Sequence, residues 1–268
     1  MIAVLPRATA PRAGYNVGRV VFRVRNRLLT GILLFCGIAG FVPVWGGPAL
    51  PAPSETLFSA LLNLAPRINP EALQTAVTAF EQLRARGLPV RSDVLMVIDY
   101  TKPSTQPRLW VFDLNHVRVL FEELVAHGKN SGDNRAVRFS NQPGSLMSSL
   151  GAFLTGDTYF GAHGLSLRLQ GLEKGVNDNS MERAIVIHAA DYVNERVGKS
   201  KGRIGRSWGC PAVRPEIARR LIETVQGGAL LLAYYPENFW PRTSSAGGLG
   251  MPAGILLPPM GLRSRPGD

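Results

Sequence analysis

The run VLMVIDYTKPSTQPRLWVFDLNHVRVLFEELVAH, residues 94–127, decides the fold class. VLMVI (94–98) is a continuous apolar stretch of strand length. RLWVFDL (108–114) and VRVLF (117–121) read as a hairpin pair, and LVAH (124–127) continues the series. Val, Ile, Phe and Trp crowd these runs, as a pleated surface prefers, and Pro and Asn punctuate them. Short strands are also expected at 150–154, 158–160 and 165–169, then at AIVIH (184–188) and ALLLAYY (229–235). About seven to nine strands with few helices imply a mainly β domain over 89–237, a sandwich or partly closed barrel.

Helical periodicity is confined to three places. Residues 54–64 read as a short helix with Ser54 as its N-cap. In the next, Asn69 caps, Pro70 opens the first turn, and Leu73, Val77, Phe80 and Leu83 repeat at helical spacing up to Gly87. Each has one apolar stripe, so 46–88 reads as a linker and a helical pair lying against the domain that follows. Residues 215–226 form the third, with Ile217, Leu221, Ile222 and Val225 on one face. The polar stretch 129–149 is long enough to be a lid over a cleft, with Asn141, Ser145 and Ser148 as its loop residues.

The 268 residues carry a net charge of +11, with 45% hydrophobic and 18% charged residues, which is globular composition. Six of the positive charges are Arg7, Arg12, Arg19, Arg23, Arg25 and Arg27, in a basic region (1–27) without acids. They precede an uncharged apolar segment, LLTGILLFCGIAGFVPVW (28–45). An Arg-rich flank before about 18 apolar residues reads as an export signal or an uncleaved membrane anchor. Nucleic-acid binding would need a basic stripe interleaved with aromatics on a folded face, so no nucleic-acid partner is expected. The Pro/Gly/Ser-rich tail, 238–268, reads as disordered.

Of two cysteines, Cys36 lies in the apolar segment, and Phe35 before it argues against lipoprotein processing. The exported part therefore holds a single thiol, Cys210, with no disulfide partner. It lies in Arg206-Ser207-Trp208-Gly209-Cys210-Pro211, after a Gly- and Lys-rich loop (198–206) read as mobile. His188 ends a buried strand upstream. A thiol on a glycine turn and a histidine at a strand end supply the parts for Cys–His acyl transfer, in which imidazole removes the thiol proton and the thiolate attacks a carbonyl. Backbone N–H groups at Gly209 and Cys210 would hold the oxyanion, each worth about 3 kcal/mol. His116 reads as a turn-proximal surface residue and His127 as one near the mouth of the sheet.

His188 followed by S-W-G-C resembles the signature of YkuD-type L,D-transpeptidases, and more closely the divergent murein L,D-transpeptidase catalytic domain branch. The matching runs are VIDYTKPS (97–104), LWVFDL (109–114), VAHGKNSG (125–132), FSNQPGS (139–145), GAHGLSLRLQGLE (161–173), AIVIHAADYV (184–193) and GRSWGCPAV (205–213). Trp208 stands where the common pattern has a second histidine, and Pro-Ala-Val follows Cys210. The resemblance implies a YkuD-like fold, a Cys210 thioester, and no metal or organic cofactor. It makes the Ala189 carbonyl the orienter of His188, with the Asp191 side chain as alternative.

His163, flanked by Gly161 and Gly164, is expected to line the site, with Trp208 as a pocket wall or a structural plug. Arg206 is the expected partner of substrate carboxylates, with Arg203, Arg168 and Arg214 behind it, and Ser207 donates to substrate or to the turn. The implied substrates are donor and acceptor stem peptides of peptidoglycan, in the periplasm or at the outer face of the inner membrane. The implied reaction is cross-linking. The alternatives are an L,D-carboxypeptidase using the same pair and, more distantly, a non-catalytic wall-binding protein.

Overall fold

A computed structural model describes residues 53–236. The basic region, the apolar segment, the first part of the linker and the tail lie outside the described residues. Among those described, no helix is long and apolar enough to cross a membrane.

Helices α1 (Pro53–Leu64) and α2 (Pro70–Ala85) come first. The Asn69 side chain accepts the Glu71 N–H at 2.9 Å, capping α2 as its sequence requires. Helix α1 begins at Pro53, so Ser54 lies inside the first turn instead of capping it. Eight strands follow: β1 (Val94–Asp99), β2 (Leu109–Asp113), β3 (Arg118–Glu123), β4 (Gly151–Gly161), β5 (Gly164–Gly171), β6 (Val186–Ala189), β7 (Ala212–Val213) and β8 (Leu230–Tyr234). Helix α3 (Glu195–Lys201) lies between β6 and β7, and α4 (Pro215–Val225) between β7 and β8.

All eight strands form one sheet in the order β3-β2-β1-β8-β4-β5-β6-β7. The two edges meet through the segment after β3. Ala126 N–H donates to Ala212 O at 2.8 Å, Ser207 N–H to His127 O at 3.0 Å, and Lys129 N–H to Ser207 O at 2.8 Å. Residues 124–127 therefore serve as a closing seam, not as a further strand of the sheet, and the result is a nearly closed barrel.

Strand β1 is apolar from Val94 to Ile98 because both faces are covered. Val94, Met96 and Ile98 join one core with Val111, Leu231 and the α4 residues Ile217, Leu221, Ile222 and Val225. The intervening Leu95 and Val97 join a second with Trp110, Phe112, Leu230 and the α2 residues Leu73, Val77, Phe80 and Leu83. The period of two in the strands thus feeds two layers, and the helical pair packs on the outside of the sheet. Each fully buried Leu or Val contributes about 1.5–3 kcal/mol, so α2 is held by this stripe more than by its caps.

Three local expectations change. The 150–154 and 158–160 runs are one bulged strand, with the register shifting between Thr155 and Thr158. The first part of the 198–206 stretch, 198–201, is the end of helix α3, whose N-cap Asn194 accepts the Val197 N–H at 2.8 Å and whose end turns at Gly202, φ +67°. Strand β6 starts only at Val186, because Ala184 adopts φ +51° and breaks the extended run.

Candidate active site

Strand β6 places His188, and β7 with the turn before it places Cys210. The two strands pair in parallel with His188 opposite Ala212. Cys210 lies two residues before Ala212, in the turn that leads into β7. The sequence neighbours of both residues are thus hydrogen-bonded strands, which brings a histidine and a cysteine 22 positions apart to one edge of the barrel.

His188 is buried, and its Nδ1 lies 2.8 Å from the Ala189 carbonyl. A carbonyl only accepts, so Nδ1 carries the proton and Nε2 keeps the lone pair of a base. This is the partner expected for ring orientation, whereas the Asp191 carboxylate is exposed. The His163 ring stacks on His188, with centroids 4.3 Å apart and planes 24° from parallel. Burial holds His188 below the usual histidine value, the Ala189 carbonyl opposes this, and His163 adds like-charge repulsion.

The turn 207–210 is built from its own polar groups. Ser207 Oγ donates to Cys210 O at 2.6 Å and accepts the Gly209 N–H at 3.1 Å. Gly209 adopts φ +131°, a conformation open essentially to glycine alone. Its carbonyl accepts from Ser148 Oγ at 3.1 Å. The Gly209 amide, expected as an oxyanion donor, is therefore occupied by Ser207. The Cys210 amide donates to no other described backbone group and faces its own sulfur.

The Cys210 thiol donates to Ala184 O at 3.6 Å, and no hydrogen bond to His188 is among those described. Burial pushes the thiol above its ordinary value. The Val186 N–H, the Arg183 guanidinium and the residue's own N–H act in the opposite direction.

The arginines expected near the nucleophile are committed elsewhere. Arg206 Nη1 donates to Lys129 O at 3.2 Å and to Gly132 O at 2.8 Å, with Asp133 at 3.5 Å. Arg203 pairs with Asp133 at 2.6 Å, Arg214 pairs with Glu123 at 2.8 Å, and Arg168 stacks on Tyr159. A carbonyl cage at a turn is invisible to sequence spacing, so Arg206 reads from the sequence as free. The cation beside Cys210 is instead Arg183, which spacing did not single out. Trp208 is 74% exposed under the Lys129 ammonium, so it is no plug.

Behind the turn lies a buried polar pair also missed in the sequence. Arg108 donates from Nε to Val125 O at 3.0 Å and from a terminal nitrogen to His127 Nδ1 at 2.7 Å. Burial and the adjacent guanidinium hold His127 down to about 3, so it stays neutral while its carbonyl receives the Ser207 amide. The segment expected as a lid, 129–149, is bonded to the rest of the domain: Lys129 N–H donates to Ser207 O at 2.8 Å, Asn141 Nδ2 to Asp178 Oδ1 at 2.6 Å and Ser148 Oγ to Gly209 O at 3.1 Å.

The profile of the family described as the L,D-transpeptidase catalytic domain matches residues 64–234, which include every element from α2 to β8. The chain belongs to that family. No curated protein matches the chain. Among solved structures, the domain resembles the L,D-transpeptidase from Mycobacterium smegmatis, 15% identical over 53% of this chain and 59% of that one, with a TM-score of 0.33. It also resembles the L,D-transpeptidase of Enterococcus faecium, 14% identical over 62% of this chain and 65% of that one (TM-score 0.35). The helical cell shape determining protein Pgp2 of Campylobacter jejuni is 14% identical over 56% of this chain and 50% of its own (TM-score 0.35). The chain thus spans less than two thirds of the length of each.

Proposed function

We propose that this L,D-transpeptidase domain is a cysteine acyltransferase that cross-links peptidoglycan stem peptides outside the inner membrane. The observation that carries this is the parallel pairing of β6 with β7, which puts His188 and the Cys210 turn on adjacent strands.

Rotation about the Cys210 Cα–Cβ bond swings Sγ from the Ala184 carbonyl toward the imidazole. His188 Nε2 takes the thiol proton, and the thiolate attacks the carbonyl of an L-centred residue in the donor stem. The Cys210 N–H, which donates to no other described backbone group, receives the developing oxyanion. Collapse breaks the donor C–N bond, the imidazolium returns its proton to the departing amine, and a thioester remains. An acceptor-stem amine attacks the thioester, loses its proton to His188, and releases the product and the thiol. Throughout, the Ala189 carbonyl holds the ring and stabilises the imidazolium. His163 and the exposed Trp208 border the approach.

Incubation of the protein with purified stem peptides tests this. Dimers are expected from the wild type and not from Cys210→Ala, and a carbapenem is expected to add its mass to the wild type alone. Trimmed monomers without dimers would mean that water resolves the thioester, as in an L,D-carboxypeptidase. Unchanged activity after removal of the sulfur would refute the proposal.

A further inference from the structure

Arg183 immediately precedes the strained Ala184 whose carbonyl holds the Cys210 thiol. Its Nη1 donates to Ser140 O at 2.6 Å and to Ser149 Oγ, and its Nη2 to Met147 O at 2.5 Å and Ser145 Oγ at 3.3 Å. All four terminal N–H groups thus meet neutral oxygens from residues 140–149. No carboxylate pairs with this guanidinium among the described ion pairs, and its charge interacts with Cys210. Nη2 also lies 3.2 Å from the position a side-chain carbon would take at Gly209, which puts the charge against the turn carrying the nucleophile.

A guanidinium whose four terminal N–H groups are occupied cannot grip a substrate carboxylate end-on with both terminal nitrogens. What it retains is its charge. Neutral acceptors leave that charge uncompensated, and partial burial leaves it poorly screened. We infer that Arg183 is a positioning residue for the acyl transfer proposed above: clamped by residues 140–149, it is the fixed positive charge against which the Cys210 sulfur ionises. The inference rests on that reading of the site. It adds that the order of the 140–149 segment and the reactivity of the thiol are coupled through one side chain. The other titratable groups that interact with the sulfur are Tyr100 and Tyr192, both raised above the ordinary phenol value by burial, while His188, with His163 stacked on it, lies on the strand paired with β7.

The thiolate fraction is read from the rate of alkylation by iodoacetamide between about pH 5 and pH 10. In Arg183→Gln the titration midpoint is expected to rise by about one pH unit, so that alkylation near neutral pH slows about tenfold. Arg183→Lys keeps the charge and loses the fork, and should recover most of that shift. A midpoint in Arg183→Gln equal to the wild-type value overturns the inference. If that variant does not fold, the wild type carries the test at a pH where both histidines are neutral. The ratio of the iodoacetate rate to the iodoacetamide rate should then be higher at Cys210 than at N-acetylcysteine amide, a thiol without other charges, and an equal or smaller ratio overturns the inference. Loss of dimer formation in Cys210→Ala alongside an unshifted Arg183→Gln titration would sink this inference and leave the acyl transfer standing.

Discussion

Substituting Gly209 by alanine tests whether the geometry of the turn governs the nucleophile. The added carbon would lie 2.8 Å from Met147 O, 3.1 Å from Ile185 Cδ1 and 3.2 Å from Arg183 Nη2. Met147 O is backbone and already accepts from Arg183, so it cannot retreat without breaking that bond. The φ of +131° adds a conformational penalty of about 1–3 kcal/mol for any residue with a side chain. Relief requires rotating the Gly209 peptide, which would disturb the Ser148 Oγ–Gly209 O and Ser207 Oγ–Cys210 O bonds, worth about 1 kcal/mol each. A net destabilisation of about 3 kcal/mol lowers Tm by about 6–12 °C for a domain of this size. Displacing Sγ by about 1 Å costs about 100-fold in rate. Thermal unfolding by circular dichroism measures the first effect, and the rate of carbapenem adduct formation by mass spectrometry the second. A Gly209→Ala protein that melts within about 2 °C of wild type and acylates at the wild-type rate would refute the reasoning.

Two pH effects follow from buried groups. Glu173 Oε1 accepts the Ala152 N–H at 2.6 Å, but Oε2 is buried without a partner, and burial pushes the carboxyl from 4.5 up to about 7. Because the folded value exceeds the unfolded one, this stability is complete below about pH 4.5 and lost as pH rises to about 7, by about 3 kcal/mol. Calorimetry should show that decline in the wild type and a flatter profile in Glu173→Gln; parallel profiles would contradict it. His188, held below the usual histidine value, stays a competent base to lower pH. His163→Ala removes a like-charge neighbour, so the acid limb of acylation should move upward; an unmoved limb would show that the stacked ring does not act on the base.

Residues 94–98 announce a strand buried on both faces, and Asn69, Pro70 and the stripe from Leu73 to Leu83 announce α2. These features depend on backbone periodicity and capping, which are local and therefore legible. Cys210 and His188 stood out as candidates for the same reason, because a lone thiol on a glycine turn and a histidine ending a buried strand are visible in one dimension. Helix α3 was hidden by its Gly and Lys content, since its Asn194 cap and packing override weak propensity.

Closure of the barrel through 126–129, the caging of Arg206, the seizure of the Gly209 amide by Ser207 and the approach of Arg183 to the sulfur belong to another class. Each engages backbone N–H or C=O groups, which nearly every position carries and no residue type advertises. The amino-acid order alone therefore announced most of the strands, the outer helix and the two side chains proposed to react. Which cation, which amide and which carbonyl surround them was decided only when the sheet closed, because those partners are selected by distance in space.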